Sequence, residues 1–153
     1  MFLGQYHHSL DSKDRLTVPA RYRQVLGDRF YITKGFEKCL IVLTETSFSA
    51  MYLSLEDKSL TDPKARELRR YIFSNAYDLD IDNAGRVLIP RDLRAAVNIT
   101  GEVILVGAGN YAEVWAPDEW SKNSQLLEDE TIAERFTAFD LATRNVAPTS
   151  TLP

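Results

Sequence analysis

The chain has 153 residues, 44% of them hydrophobic, with one cysteine and a net charge of −4. That length suits one domain or two small intertwined ones, large enough to need no metal or disulfide staple. Cys39 alone excludes an internal disulfide and fits a reducing compartment. No apolar run approaches the ~20 residues that cross a bilayer. The start, Met1–Gln5, lacks a basic region followed by an apolar one, so a cytoplasmic protein without a signal peptide is expected.

In chain order, Tyr6, His8 and Leu10 alternate as one face of a strand. Asp11–Asp14 reads as a tight turn, and Leu16 and Val18 mark a second strand. Pro19 opens a short helix, and Gly27 stands where that helix should stop in a left-handed conformation. Strands over Arg29–Thr33 and Cys39–Thr44 follow. After the stretch Ser47–Leu55 comes a helix within Asp62–Tyr77. Asp62 is its N-cap, Pro63 its first residue, and Leu68, Tyr71, Ile72 and Asn75 recur at helical spacing among Arg66, Arg69 and Arg70.

The same grammar then returns. Tyr77 begins a strand, Asp82–Gly85 a turn, and Val87 and Ile89 a strand. Pro90 opens a helix that Asn98 ends, and strands over Glu102–Gly107 and Glu113–Ala116 close the series. With an offset of 71 residues, Tyr6, Asp11, Arg15, Pro19 and Arg23 match Tyr77, Asp82, Arg86, Pro90 and Arg94. One inserted residue later, Gly35, Val42 and Phe48 match Gly107, Val114 and Trp120. A fixed period of this kind is a duplicated supersecondary unit.

One copy has too little apolar area to stand alone. Two copies that interleave strands can close a barrel and remove the exposed edges. The expected fold is therefore α+β, mostly β: one barrel made as an intramolecular pseudo-dimer with peripheral helices. The expected division is a first repeat at 5–48, connecting helices at 49–75, a second repeat at 76–120, a C-terminal helix at 121–145 and a disordered tail at 146–153. The C-terminal helix is placed within Asp129–Arg144, with Ile132, Phe136, Phe139 and Ala142 as its apolar face.

An acidic chain is a poor match for a polyanion, but the charge is uneven. Pro117–Asp140 holds seven acids and two bases, so the rest of the chain is net +1. Segments 11–26 and 82–97 are net +2 and +1. Each carries Asp-x-x-x-Arg across its turn: Asp11 with Arg15, and Asp82 with Arg86. A bidentate Asp–Arg contact would lock the turn and aim a guanidinium at a phosphate or a guanine edge. Lys13, Arg21, Arg23, Arg91 and Arg94 lie beside these turns. Spacing alone fits a structural staple equally well, and duplication copies structural and functional features alike.

Met1-Phe2-x-Gly4, with Leu10-Asp11-Ser-Lys-x-Arg15-Leu-x-Val-Pro19-x-Arg21-Tyr-Arg23, resembles the start of MraZ proteins. The second copy resembles the same family through Gly85-Arg86-x-Leu-Ile89, Leu93-Arg94, Val106-Gly107 and Glu113-x-Trp115. The resemblance covers about residues 1–145 and implies the swapped-hairpin barrel of AbrB-type regulators. It further implies a nucleoid-associated transcriptional regulator of its own operon, in the division and cell-wall gene cluster, that assembles as a homo-oligomeric ring on double-stranded DNA. It assigns DNA contact to Asp11, Arg15, Asp82 and Arg86. Asp14 stands where the family usually has glycine, as at Gly85, which sets a negative charge beside Arg15 and suggests unequal halves.

A second reading is a protein-interaction module, such as an antitoxin-like partner binder gripping through the 62–77 helix and the C-terminal helix. An enzyme is not expected: Ser9 and Cys39 have no base in sequence grammar around them. No metal or cofactor is expected either, because His7 and His8 adjoin on one strand and point to opposite faces. Gly107–Asn110 joins two strands and reads as a hairpin, and Trp115 and Trp120 read as core or interface aromatics.

Overall fold

In the computed structural model, which describes residues 1–141, each copy lays down the same series of elements. The first gives β1 (Gln5–Ser9), β2 (Arg15–Thr17), α1 (Ala20–Leu26), β3 (Arg29–Lys34), β4 (Cys39–Leu43) and α2 (Glu45–Glu56). The second gives β5 (Tyr77–Asp80), β6 (Arg86–Leu88), α4 (Arg91–Ala96), β7 (Glu102–Gly107), β8 (Ala112–Trp115) and α5 (Pro117–Ser124). Helix α3 (Pro63–Phe73) lies between the copies and has no repeat counterpart. Helix α2 crosses the boundary expected at 48, because it is the counterpart of α5.

The copies exchange their first strands. A six-stranded antiparallel sheet runs β1-β7-β8-β4-β3-β5, and β2 pairs with β6 in a separate two-stranded ribbon. The order reads the same from both ends when each strand is replaced by its repeat counterpart, so a pseudo-twofold passes between β4 and β8 and between β2 and β6. Strand β1 lies on β7 of the other copy, from Gln5 opposite Val106 to Ser9 opposite Glu102. Strand β5 lies likewise on β3. Neither half can form its sheet without the other.

Both sheets close over one core. Leu16, Val18, Val87 and Ile89 of the ribbon pack with Ile32, Leu40, Val42, Leu105 and Val114 of the large sheet. The helices between sheets add Tyr22, Leu26, Leu93 and Val97. Pro19 and Pro90 sit at the cap position of α1 and α4, one residue ahead of the helix proper. Gly27 and Asn98 both have positive φ, +74° and +62°, beyond the ends of those helices. Sequence reading missed Phe2, which is fully buried, bridges to Gly109 and meets the Tyr22 ring edge-on at 5.0 Å.

Helix α3 begins as its sequence predicts, with Pro63 at the start and Asp62 Oδ1 accepting the Lys64 N–H at 2.9 Å. It docks on β3 through the buried Thr33 hydroxyl, which donates to Ile72 O at 2.7 Å. Arg69 donates to Leu55 O and Lys58 O at 2.8 and 2.7 Å, satisfying carbonyls at the end of α2.

The expected C-terminal helix differs. Within residues 129–141 there is only one turn, α6 (Ile132–Arg135), followed by a 3-10 turn at Thr137–Phe139. Phe136 and Phe139 are 46% and 77% exposed. The periodicity is present, but among the described residues Phe136 and Phe139 are left largely uncovered, and isolated short helices are marginal in water. Ala142, the rest of that span and the tail at 146–153 lie outside the described residues.

Candidate nucleic-acid interface

The two Asp-x-x-x-Arg turns are built alike. Asp11 Oδ1 accepts the backbone N–H groups of Lys13 and Arg15, each at 2.9 Å, and Oδ2 accepts Arg15 Nε at 2.8 Å. Asp82 Oδ1 accepts Ala84 N–H and Arg86 N–H at 2.9 Å, and Oδ2 accepts Arg86 Nε at 3.1 Å. The bidentate contact expected from sequence is therefore not made. The carboxylate spends one oxygen on the turn and holds the guanidinium by Nε alone. Among the described residues, the terminal nitrogens of Arg15 and Arg86 donate to nothing, so four N–H groups on each remain to be satisfied from outside.

The ribbon brings the two arginines to one surface. In the β2–β6 register, Arg15 faces Leu88, Leu16 faces Val87 and Thr17 faces Arg86. Alternation sends Leu16 and Val87 into the core, 3% exposed each, and leaves Arg15, Thr17, Arg86 and Leu88 on the outer face. Arg15 and Arg86 are diagonal neighbours there, a relation that sets Cα atoms about 7–8 Å apart in antiparallel pairs. Their side chains are half-buried, 28% and 34% exposed.

Both aspartates are held below the usual carboxylate range. For Asp11 the Arg15 N–H is the main cause, and for Asp82 the Arg86 N–H; the arginine side chains add to it. A depressed value in the folded chain makes the turn's contribution complete above the ordinary carboxylate range and lost only as pH falls below it. Carbon-detected NMR titration should therefore place both carboxyls below 3.8 in the folded protein and return them to it in urea.

The flanking cations divide into two groups. Lys13, Arg21, Arg23 and Arg91 are exposed around the ribbon. Arg94 is committed inside: its side chain is 13% exposed, donates through Nε to Ile89 O at 3.0 Å and pairs with Asp14 at 3.3 Å. Asp14 adopts φ of +60°, as Gly85 adopts +78°, and its carboxylate is neutralised by Arg94 from the other copy. At the equivalent place Arg23 lies against Gly85, its guanidinium 2.5 Å from where a Cβ would stand. Each copy's helix thus covers the other copy's turn. The repeat equates 14 with 85 and 23 with 94, but the crossing itself is a tertiary fact.

Away from the ribbon, Glu37, Cys39 and Glu113 come within 4.8 Å of one another. The Cys39 thiol and the Trp115 indole N–H both donate to Glu113, at 3.8 and 3.2 Å. Burial pushes the fully covered thiol up to about 12. Cys39 should therefore resist a disulfide reagent such as DTNB at pH 8 in the native protein and react fully once unfolded. A fast native reaction would show that β4, an interior strand between β8 and β3, opens readily at its Cys39 end.

No helix of the described residues is long and apolar enough to cross a membrane. The MraZ family model, described as "MraZ protein, putative antitoxin-like", matches residues 1–71 and 72–141. The protein named Transcriptional regulator MraZ from Alkaliphilus metalliredigens is 42% identical over 139 residues, 89% of this chain and 96% of its own. Its namesake from Dictyoglomus thermophilum is 40% identical over 132 residues, 84% and 90% of the two chains. That from Moorella thermoacetica is 37% identical over 143 residues, 92% of this chain and all of its own. Two tandem matches that fall on the two structural copies, with relatives aligned over nearly their whole length, place the chain in the MraZ family.

Proposed function

We propose that this chain is a DNA-binding transcriptional regulator and that the outer face of the β2–β6 ribbon is its contact surface. One observation carries the reading: Arg15 and Arg86 are both anchored by Nε on one ribbon face, with their terminal N–H groups unspent. An ion pair that served only the turn would not need to leave the terminal nitrogens of both arginines unspent on the same ribbon face. A two-stranded ribbon fits the major groove, and an arginine with its terminal nitrogens free is the group that reads guanine or grips phosphate there. Lys13, Arg21, Arg23 and Arg91 extend the cationic surface toward the flanking phosphates.

A single ribbon offers few cations, so the reading includes assembly. Several copies in a ring on successive DNA repeats would raise avidity well beyond one module's affinity. The proposed site of action is its own operon in the division and cell-wall gene cluster, in the cytoplasm and on the nucleoid. The division into two repeats, the connecting α3 and a C-terminal segment serves this design, with α3 and the acidic segment 118–140 set apart in sequence from the ribbon.

The test is fluorescence anisotropy with a labelled duplex from upstream of its own gene, over a salt series, with light scattering for the mass of the assembly. Affinity should fall steeply and linearly in log–log form as salt rises. Binding that ignores salt, or that is equal on any duplex, would refute a sequence-specific regulator. The protein-partner reading has one observation in its favour: Phe36, 70% exposed, stacks on Tyr71 of α3 as an open aromatic pair. That reading predicts capture of a partner protein by a chain carrying Arg15→Ala and Arg86→Ala together.

A further inference from the structure

Leu88 is the one large apolar side chain on the outer face of the ribbon. It is 53% exposed and stands directly opposite Arg15. Folding does not ask for it. Its neighbours Val87 and Ile89, 3% and 1% exposed, fill the core, and alternation points Leu88 away from them. A strand position open to water favours threonine or another β-branched residue over leucine. The pseudo-equivalent position on β2 is indeed Thr17, which faces Arg86 as Leu88 faces Arg15.

Resting on the DNA-binding reading, we propose that Leu88 is a specificity-determining residue that contacts the C5-methyl group of a thymine in the major groove. The methyl is the only apolar feature that a base edge presents there, and apolar side chains are its usual readers. The register makes the preference local, because the base reached by Arg15 and the thymine reached by Leu88 lie side by side. Thr17 offers a hydroxyl at the related place, so the two halves of the ribbon read different chemistry. The asymmetry of recognition then arises on the contact face itself, and not at Asp14, whose charge Arg94 neutralises.

The experiment compares the wild-type chain with Leu88→Thr, which copies the residue of the related position and keeps strand propensity. Each is titrated against the same upstream duplex made with thymidine or with deoxyuridine, which lacks only the methyl. Deoxyuridine should weaken wild-type binding by about fourfold for each methyl contacted. Leu88→Thr should bind the thymidine duplex more weakly by a similar factor and show little further loss on deoxyuridine. Arg86→Ala should bind both duplexes more weakly and keep the wild-type ratio between them. An equal deoxyuridine penalty in wild type and Leu88→Thr overturns the assignment, while salt-dependent binding by both leaves the DNA reading standing. Absence of salt-dependent binding by the wild type overturns both. A changed assembly mass for Leu88→Thr without DNA also overturns the assignment, since Leu88 would then belong to a contact between copies.

Discussion

Arg86→Ala is expected to weaken binding to upstream duplex DNA by roughly ten- to a hundredfold, the range lost with one well-placed arginine contact. Arg15→Ala should do the same, and the double variant should reduce binding to the weak level of the flanking cations. The structure gives the loss two parts. The guanidinium ends disappear from the ribbon face, and Asp82 or Asp11 keeps its charge with no side-chain partner, adding repulsion toward phosphate. The fold should survive, because each carboxylate still accepts two backbone N–H groups of its turn. Circular dichroism and the melting temperature should therefore change little. If the lost contact is to phosphate, the log–log salt slope should fall by about one; if it is to a base, the slope should hold and discrimination should drop.

The aspartates sharpen this test. Asp82→Asn retains an oxygen for the Ala84 and Arg86 N–H groups but presents an amide to Arg86 Nε. The turn should persist while the guanidinium loses its anchor. Affinity should fall less than for Arg86→Ala, through orientation alone. Equal affinity for Asp82→Asn and the wild type would mean that the pair contributes to the turn and not to binding.

Phe2→Ala is expected to have the largest effect on stability, about 3–5 kcal/mol for a fully covered aromatic ring. At about 2–4 °C per kcal/mol for a chain of this size, the melting temperature should drop by roughly 10 °C or more. Phe2 anchors a strap: its N–H donates to Gly109 O at 2.7 Å, Gly107 N–H donates to Gly4 O at 2.8 Å, and Tyr22 OH donates to Leu3 O at 3.2 Å. Gly107→Ala attacks the same strap from below. A Cβ there would stand 2.4 Å from Leu3 N and 2.5 Å from Phe2 C, both backbone atoms that cannot turn aside. Overpacking of this kind costs typically about 1–3 kcal/mol. If the strap were incidental, deleting residues 1–4 would leave the melting temperature near wild type; the buried Phe2 says that it will not.

Tyr6, Asp11, Arg15, Pro19 and their counterparts announced the repeat, and the turns, helix caps and strands fell where that punctuation put them. Phe2 carried part of the family resemblance, but its burial was not legible, because one aromatic residue ahead of the first strand has no periodicity to betray it. The C-terminal segment failed in the opposite direction: Ile132, Phe136 and Phe139 have helical spacing, yet spacing cannot supply a surface to pack against. The roles of the arginines were legible only as a set. Nothing local separates Arg94, tied to Ile89 O and Asp14, from Arg21 and Arg91, which stand in water.

By itself the sequence determined the duplication, the α+β class and the Asp-x-x-x-Arg turns, because turn chemistry, alternation and a carboxylate four residues from an arginine act over short range. Tertiary structure alone decided which strands pair and what faces outward together. The β2–β6 register set Arg15 beside Arg86 and Leu88, and the crossed helices laid Arg94 on Asp14 and Arg23 on Gly85. Those contacts join residues 60 or more positions apart, and they exist because neither copy can bury its strands alone.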